Sequence, residues 1–545
     1  MSQLQVVDER PLTGSPARQP HFYARVLPWL IIAAGVAVRL FHFWYNRSLY
    51  YDEAHIALNL IYRDYAGLAS PPLDFDQQAP LGFLWASKWC TTLFGNSEYG
   101  LRLFALLCGL LALPLFYRLV RQLLPAAGVN VALTCLAFAP PLVYHSVEVK
   151  QYETEMLATI VAFLAYFHYK DRPGLAPAVK WGLAGAGLVW FSLASVFILA
   201  GIGITAGVTA LRQGGVKKSL PLLVTGGLWG ASFLVNYVLF VSAGTEIAWL
   251  KEHWERQDAF MPLPPRGLGD LLWFPKIAFK ALDYPLGINW QFLPDAGKAL
   301  RFSLLGTLFF GIGLGQAVRR REVGWAFAAP LLIVLAASAF KVYPVLERLL
   351  VFAAPILIVF IAFGAQAVYA FFERRSRPAV GLVLLLVFAA APVANAARQL
   401  VRPETLGGGK QIDLRQALQY VQAHRQAADQ VYVTSSFENP FRYYRQLYRY
   451  PWDKLPVRET FDNLMPSPDV DAYKQQVRTS LDFTRPGRRV WVVLYPMQLK
   501  YLDAHGKVQV TDRLVSDVVK AVLDEKGVVE NGYAGTNIFV YLYQF

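Results

Sequence analysis

The stretch VLPWLIIAAGVAVRLFHFW, Val26–Trp44, is followed after Tyr45 by NRSLYYDEAH, Asn46–His55. A helix needs about 20 apolar residues to cross the hydrocarbon core of a bilayer, and Val26–Trp44 supplies them. It is too long for the apolar core of a cleavable signal peptide, and residues 1–25 are polar and proline-rich, so it reads as a signal anchor behind a cytoplasmic tail. Outward from it, apolar runs recur near 99–118, 127–144, 153–169, 219–241, 302–318, 323–340, 349–372 and 379–397. Trp181–Leu211 is too long for one crossing and turns polar at Ser192 and Ser195, which splits it into two. The expectation is a polytopic α-helical membrane protein with about eleven spans over 26–400, followed by a soluble α/β domain at 401–545.

Lys and Arg collect in cytoplasmic loops. Alternate connections carry Arg118/Arg121, Lys170/Arg172/Lys180, Arg212/Lys217/Lys218, Arg319/Arg320/Arg321 and Arg374/Arg375/Arg377, and the N-terminal tail adds Arg10, Arg18 and Arg25. Threaded through the spans, these clusters fall on one face. That face is expected to be the cytoplasm, with the N-terminus there. The other face then receives loops 46–98, 145–152, 242–301 and 341–348 and the C-terminal domain, outside a cell (inner) membrane. Composition agrees, since 17% of the 545 residues are charged where a soluble protein carries about a quarter, and mean hydropathy is +0.33. The net charge of +14 sits in short clusters between apolar runs, so membrane topology explains it and no nucleic-acid partner is expected. Cys90, Cys108 and Cys135 lie in apolar stretches without ligand spacing, which gives neither a disulfide framework nor a zinc site. Exported regions free of cysteine fit a bacterial envelope.

In the C-terminal domain, Gly407–Gly409 after Pro403 reads as a flexible joint. It is not a phosphate loop, because Gln411 follows Lys410 and no strand precedes the glycines. Helical spacing from Asp413 to Arg425, short β-branched runs at Val431–Thr434 and Val490–Leu494, and alternation over Ile538–Tyr543 give a small α/β domain. Asn439 is expected to cap a helix through Arg445, and Asp512 to open one ending at Gly527. Nothing in this domain forms a catalytic set, and it reads as an acceptor-facing or stabilising cap.

Asp52 and Glu53 open an amphipathic segment running to Tyr65. Alone, such a segment is an interfacial anchor flanked by belt tyrosines. It has company. DFDQQAPLGFLW, Asp74–Trp85, begins a polar turn entering a second amphipathic helix over 74–89. The next external link, YHSVEVKQYETE, Tyr144–Glu155, gathers His145, Glu148, Lys150, Glu153 and Glu155. Charge at the lip of a membrane helix is costly unless it pairs or meets a polar ligand, and a simple turn needs less of it. Function is favoured on this face.

The order of these pieces resembles the GT-C class of membrane glycosyltransferases: protein O-mannosyltransferases, the aminoarabinose transferase acting on lipid A, and bacterial enzymes adding sugars to lipopolysaccharide core. The matching features are the acidic pair after the first span, Gln77-Gln-Ala-Pro-Leu-Gly82, and Asn96-Ser-Glu98-Tyr-Gly-Leu-Arg102-Leu-Phe. Further on come Tyr144-His-Ser-Val-Glu-Val-Lys-Gln-Tyr152 and Tyr343-Pro344 leading to Arg348-Leu-Leu. The resemblance covers roughly 26–400. It implies a polyprenyl-phosphate sugar as donor, a lipid, glycan or protein acceptor, membrane lipids around it, and an outward-facing active site with juxtamembrane helices in the first external loop. The family's catalytic aspartate matches Asp52. A second family acid has no aspartate here; Glu155 or Glu148 stands in its region, and Glu53 completes the candidate acids. The aminoarabinose branch carries a lysine before the proline of the second juxtamembrane segment, where this chain has Gln78-Ala79-Pro80. Lys150 or Arg348 is then required to meet the donor phosphate, or a metal does.

The chemistry asks for two groups. A carboxylate takes the acceptor hydroxyl's proton as it attacks the anomeric carbon, for which Asp52 is chosen, since Glu53 points elsewhere on the helix. A cation offsets charge on the leaving phosphate: Lys150 and Arg348, both at external helix ends. The alternative is a divalent magnesium or manganese ion on Asp52 and Glu148 or Glu155. His55, Gln78, Arg102, His145, Glu148, Gln151 and Tyr152 are the candidates for binding or support, His55 and His145 reading first as plain hydrogen-bonding residues. The 242–301 loop, with Trp249, Trp254, Trp273 and Trp290, reads equally as a membrane anchor or a cover for the donor cleft. The rival class is a lipid or sugar transporter or flippase. It calls for an inverted repeat and charge near the midplane, whereas no second copy of the Asp-Glu or Gln-Gln-Ala-Pro segments occurs. A receptor or scaffold leaves the first-loop acids without a purpose.

Overall fold

The apolar runs read from the sequence fall, among the described residues, on helices of the computed structural model, the 127–144 run on two of them, Ala126–Phe138 and Pro140–His145; the structure describes residues 22–242, 248–289, 303–408, 411–456, 464–465, 467–504 and 508–545. The readings of Arg10, Arg18, Trp290, Gly409 and Lys410 lie outside the described residues. Among the described residues, seven helices are long and apolar enough to cross a membrane: Arg25–Tyr45, Glu98–Val120, Ser195–Gln213, Ser219–Val241, Arg321–Ala339, Glu347–Glu373 and Pro378–Val401. Ala126–Phe138, Leu175–Phe191 and Leu304–Arg319 are apolar but shorter, and Tyr152–Tyr169 carries Glu153 and Glu155 in its first turn. The chain is a multi-pass helical membrane protein. The break expected at Ser192 and Ser195 falls between Leu175–Phe191 and the helix beginning at Ser195.

Glu347–Glu373 is the central element. Its apolar window is 89% buried, against 17–50% for the other six long helices, as expected for a helix apolar on every side. Small residues bring its neighbour close. A Cβ on Gly313 would stand 1.8 Å from the Phe360 carbonyl oxygen, and one on Gly364 equally close to that of Phe309. The Leu304–Arg319 helix therefore meets the central helix backbone to backbone, the packing that membrane helices achieve with glycine.

The first external loop folds into Tyr51–Tyr62, a short turn Tyr65–Leu68, a 3-10 turn Asp74–Asp76 and the helix Leu81–Phe94. Above it sits the C-terminal sheet region. Strands β1 Gln430–Val433, β3 Arg489–Leu494, β7 Ile538–Gln544 and β6 Val528–Gly535 form one sheet in the order β1-β3-β7-β6, with β1 and β3 parallel and the other pairs antiparallel. β2 Leu464–Met465, β4 Gln498–Leu502 and β5 Val508–Leu514 form a second. Two local expectations are corrected. Asn439 lies inside the helix Glu438–Tyr448, whose cap position is Phe437. Asp512 lies within β5, which pairs antiparallel with β4, and the helix starts later, at Val515.

The domain is seated on the first loop. Leu49, Ile56, Leu58, Leu60 and Phe83 share one apolar core with Leu418, Phe441, Tyr444 and Trp491. Tyr444 Oη accepts from the Leu49 amide at 2.7 Å and donates to Glu98 at 3.0 Å, while Arg415 donates to Glu98 at 2.7 Å and to the Asn46 carbonyl at 2.6 Å. In the linker, Gly407 has φ +78° and its Cα abuts the Tyr144 ring, where a Cβ would stand 2.4 Å away. The linker glycine serves close approach at this point.

Candidate active site

Residues 46–53 turn the first helix into Tyr51–Tyr62 around a buried charge cluster. Glu53 is fully buried. It receives Arg102 through Nε at 3.0 Å and Nη2 at 3.1 Å, pairs with Arg47, and accepts from the Tyr50 and Val149 amides at 3.1 and 3.0 Å. Arg47 also stacks 4.6 Å above the Tyr144 ring. A buried carboxylate is tolerated only when its lone pairs are satisfied, and Glu53 meets that condition. It ties the first loop to the 146–151 turn.

One helical step away, Asp52 has 22% of its side chain exposed and forms an ion pair with Arg348, itself 26% exposed. Arg348 stands in the 3-10 turn Glu347–Ala353 leading into the central helix. Burial raises the Asp52 carboxyl, but the charges of Arg348 and Lys150 outweigh it and hold Asp52 below the usual carboxylate range. Lys150 is 6% exposed, and its ammonium donates to Gln77 Oε1 at 2.7 Å. Burial pushes Lys150 down, against the pull of Asp52, to about 8. His55, one turn after Asp52, stacks on Phe75 at 5.1 Å and lies 3.4 Å from Gln77. Burial, then Lys150, push His55 down to about 4, so it is neutral at neutral pH.

Behind this cluster runs a buried relay. His145 Nδ1 lies 2.6 Å from Glu148 Oε2, and its Nε2 is hydrogen-bonded to the Tyr284 hydroxyl. With Glu148 ionised, Nδ1–H donates and Nε2 accepts from Tyr284. Glu148 is also close enough to Asp52 to raise its carboxyl. The Tyr152 ring stands 4.9 Å from that of His145 and bears on Arg348. Gln151 Nε2 donates to the Gln78 carbonyl at 3.4 Å, and Gln78 Nε2 to that of Val241 at 3.2 Å. A cavity of about 240 Å³ adjoins, lined by Gln77, Gln78, Asp76, Asn236, Leu84 and Phe240 among others. Trp249, from the aromatic-rich external loop, donates to Asp76 at 3.1 Å.

The structure thus brings Asp52, Lys150, Arg348, His55, His145, Glu148 and Tyr152 together, with Gln78 and Gln151 at the edge. Glu53 and Arg102 form the buried support beneath. Glu155 lies apart: its carboxyl meets the backbone of Leu193 and Ala194, at the break before the Ser195 helix. Sequence reasoning missed Arg47, Gln77 as the lysine's partner, and Tyr284. Arg47 was legible as a second cation flanking an acidic pair. Tyr284 was not, because it lies 139 residues from His145. The metal alternative finds no matching set. Among the described residues, no three His, Cys, Asp or Glu side chains converge as a metal would require, and Asp52 and Glu148 are engaged by Arg348 and His145.

This architecture, a helical bundle with juxtamembrane helices in its first external loop and a C-terminal sheet region, is the GT-C fold of membrane glycosyltransferases. The family model described as dolichyl-phosphate-mannose-protein mannosyltransferase matches residues 78–232. Among solved structures, ArnT from Cupriavidus metallidurans bound to undecaprenyl phosphate is similar at TM-score 0.50 and 13% identity, over 96% of this chain and 98% of that one. Its apo state is similar at TM-score 0.46 and 13% identity, over 95% and 98%. The Archaeoglobus fulgidus oligosaccharyltransferase in complex with Zn and sulfate gives TM-score 0.46 and 14% identity, over 89% and 73%. No curated protein matches the chain in sequence.

Proposed function

We propose that the chain is a membrane glycosyltransferase that moves a sugar from a polyprenyl-phosphate donor to an acceptor hydroxyl on the extracytoplasmic face. The observation that carries this reading is the partly exposed Asp52 paired with Arg348 beside Lys150, one step from the fully buried Glu53. A base must be reachable and its counter-cations must be able to change partner. Asp52 and Arg348 meet both needs.

In the reaction, Lys150 and Arg348 hold the donor phosphate. As Arg348 turns toward it, Asp52 loses its strongest counter-charge and becomes a better base. The acceptor oxygen attacks the anomeric carbon, its proton passes to Asp52, and the bond from that carbon to the phosphate oxygen breaks with the electron pair going to the phosphate. The two cations offset the charge that develops there. Glu148, held by His145, takes the place of the family's second acid, and Glu53 with Arg102 positions the helix that carries Asp52. Membranes containing the protein, supplied with radiolabelled polyprenyl-phosphate sugars, should transfer label to an envelope acceptor, and Asp52→Asn should cut this by about 10²–10⁴-fold, the usual worth of a positioned base. Unchanged transfer removes Asp52 from the chemistry. Movement of labelled lipid across the membrane without transfer favours the transporter reading.

A further inference from the structure

The opposite end of the bundle carries a feature that this site does not use. The central helix has Arg348 leading into its start, and Ala354–Glu373 spans 20 residues, about 30 Å of helix. At its far end a cavity of about 780 Å³ opens between it and the Leu304–Arg319 helix, lined by Arg319, Arg320, Arg374 and Arg375 with Gln316 and Gln366. Among the described residues no carboxylate side chain lines it, and nearby Glu322 is taken by Lys170 and Tyr166. Arg320 stacks 4.8 Å over Phe363 and Arg375 3.7 Å over Phe371, which fixes the guanidinium planes; Arg320 Nη1 donates to the Leu123 carbonyl at 3.0 Å, and the five N–H groups of a guanidinium leave others for an anion. Charge bias between loops accounts for basic residues at this end. It does not account for their convergence, because Arg321 and Arg377 belong to the same loops and stay outside the cavity.

We propose that this cavity binds the headgroup of an anionic glycerophospholipid with two phosphates, a diphosphatidylglycerol. Two arginines come from each of two helix ends, one pair per phosphate, and arginine forks match phosphate oxygens. Basic pockets between membrane helices recognise such headgroups. Val318 and Phe371, 72% and 50% exposed beside the arginines, offer apolar surface to the acyl chains, which a free polyphosphate would leave uncovered.

The test is native mass spectrometry and thermal unfolding of the full chain in phosphatidylcholine nanodiscs, with diphosphatidylglycerol, phosphatidylglycerol or inorganic pyrophosphate added. Diphosphatidylglycerol should bind about tenfold more tightly than phosphatidylglycerol and raise the unfolding temperature. Arg320→Gln/Arg374→Gln should lower its affinity by about tenfold or more, while Arg321→Gln/Arg377→Gln, which removes equal charge outside the cavity, should leave it unchanged. If the first variant fails to fold, Ala367→Trp fills the cavity with all four arginines in place and should also abolish binding. Equal losses in both double variants, retained binding in Ala367→Trp, phosphatidylglycerol binding as tightly, or pyrophosphate competing as strongly as the lipid would each overturn the proposal.

Discussion

Asp52 and Glu53 are adjacent, yet successive helix residues point about 100° apart, and that angle separates a partly exposed carboxylate from a fully buried one. Which of the two faces the cleft was readable from the sequence only as a helical preference. The partners that decide it, Arg102 and Arg348, lie 49 and 296 residues away. Glu53→Gln leaves Arg47 and Arg102 buried with reduced compensation, a loss of about 3–5 kcal/mol, to be seen as a lowered unfolding temperature. Lys150, pushed down to about 8 by burial, must be protonated to meet phosphate. Donor KM should therefore be flat below that pH and rise above it, and Lys150→Met should abolish the dependence while raising KM throughout. A pH-independent KM in wild type would remove Lys150 from the phosphate site. The depressed Asp52 carboxyl stays ionised at mildly acidic pH in the free protein, so the acid limb of kcat/KM should lie below the ordinary carboxylate range, while that of kcat, set after Arg348 has turned to the phosphate, should lie higher.

At the scale of elements, the helices were legible because crossing a bilayer requires a length of apolar sequence that little else supplies. The short strands were less so: β4, β5 and β6 are largely exposed or intermediate, so their alternation gives no strong apolar signal, and Asp512 read as a cap although it sits within β5. The juxtamembrane segment does two jobs. Asp74–Asp76 and the extended residues after it deliver Gln77 to Lys150. Replacing Gln77 with Leu removes a bond to a charged group that the free protein already makes, worth about 1.5–3 kcal/mol, and should lower the unfolding temperature and raise donor KM, because Lys150 loses the partner that positions it. Glu155, which meets the backbone of Leu193 and Ala194, belongs to the architecture. Glu155→Gln should cost about 1 kcal/mol of stability, as loss of a helix cap does, and leave KM alone. A collapse of kcat in that variant would return Glu155 to the reaction.

At the scale of the molecule, the site is a seam. The first loop, the 146–151 turn, the start of the central helix and the 248–289 segment each contribute a side chain, and the C-terminal domain clamps the first loop. That clamp was illegible in the sequence because Tyr444 and Arg415 reach backbone groups of Leu49 and Asn46, which no side-chain pattern announces. Arg415→Ala combined with Tyr444→Phe should remove both partners of Glu98 and make the linker into the C-terminal domain more sensitive to protease while the apolar helices stay intact; an unchanged digestion pattern would contradict the clamp. The central claim is that Asp52 and the donor phosphate compete for Arg348. Its most direct test is the affinity of wild type and Asp52→Asn for a polyprenyl phosphate lacking sugar, measured on the purified full chain. Asp52→Asn, with Arg348 released, should bind at least as tightly as wild type; weaker binding in the variant would mean that Asp52 and the phosphate do not compete for Arg348.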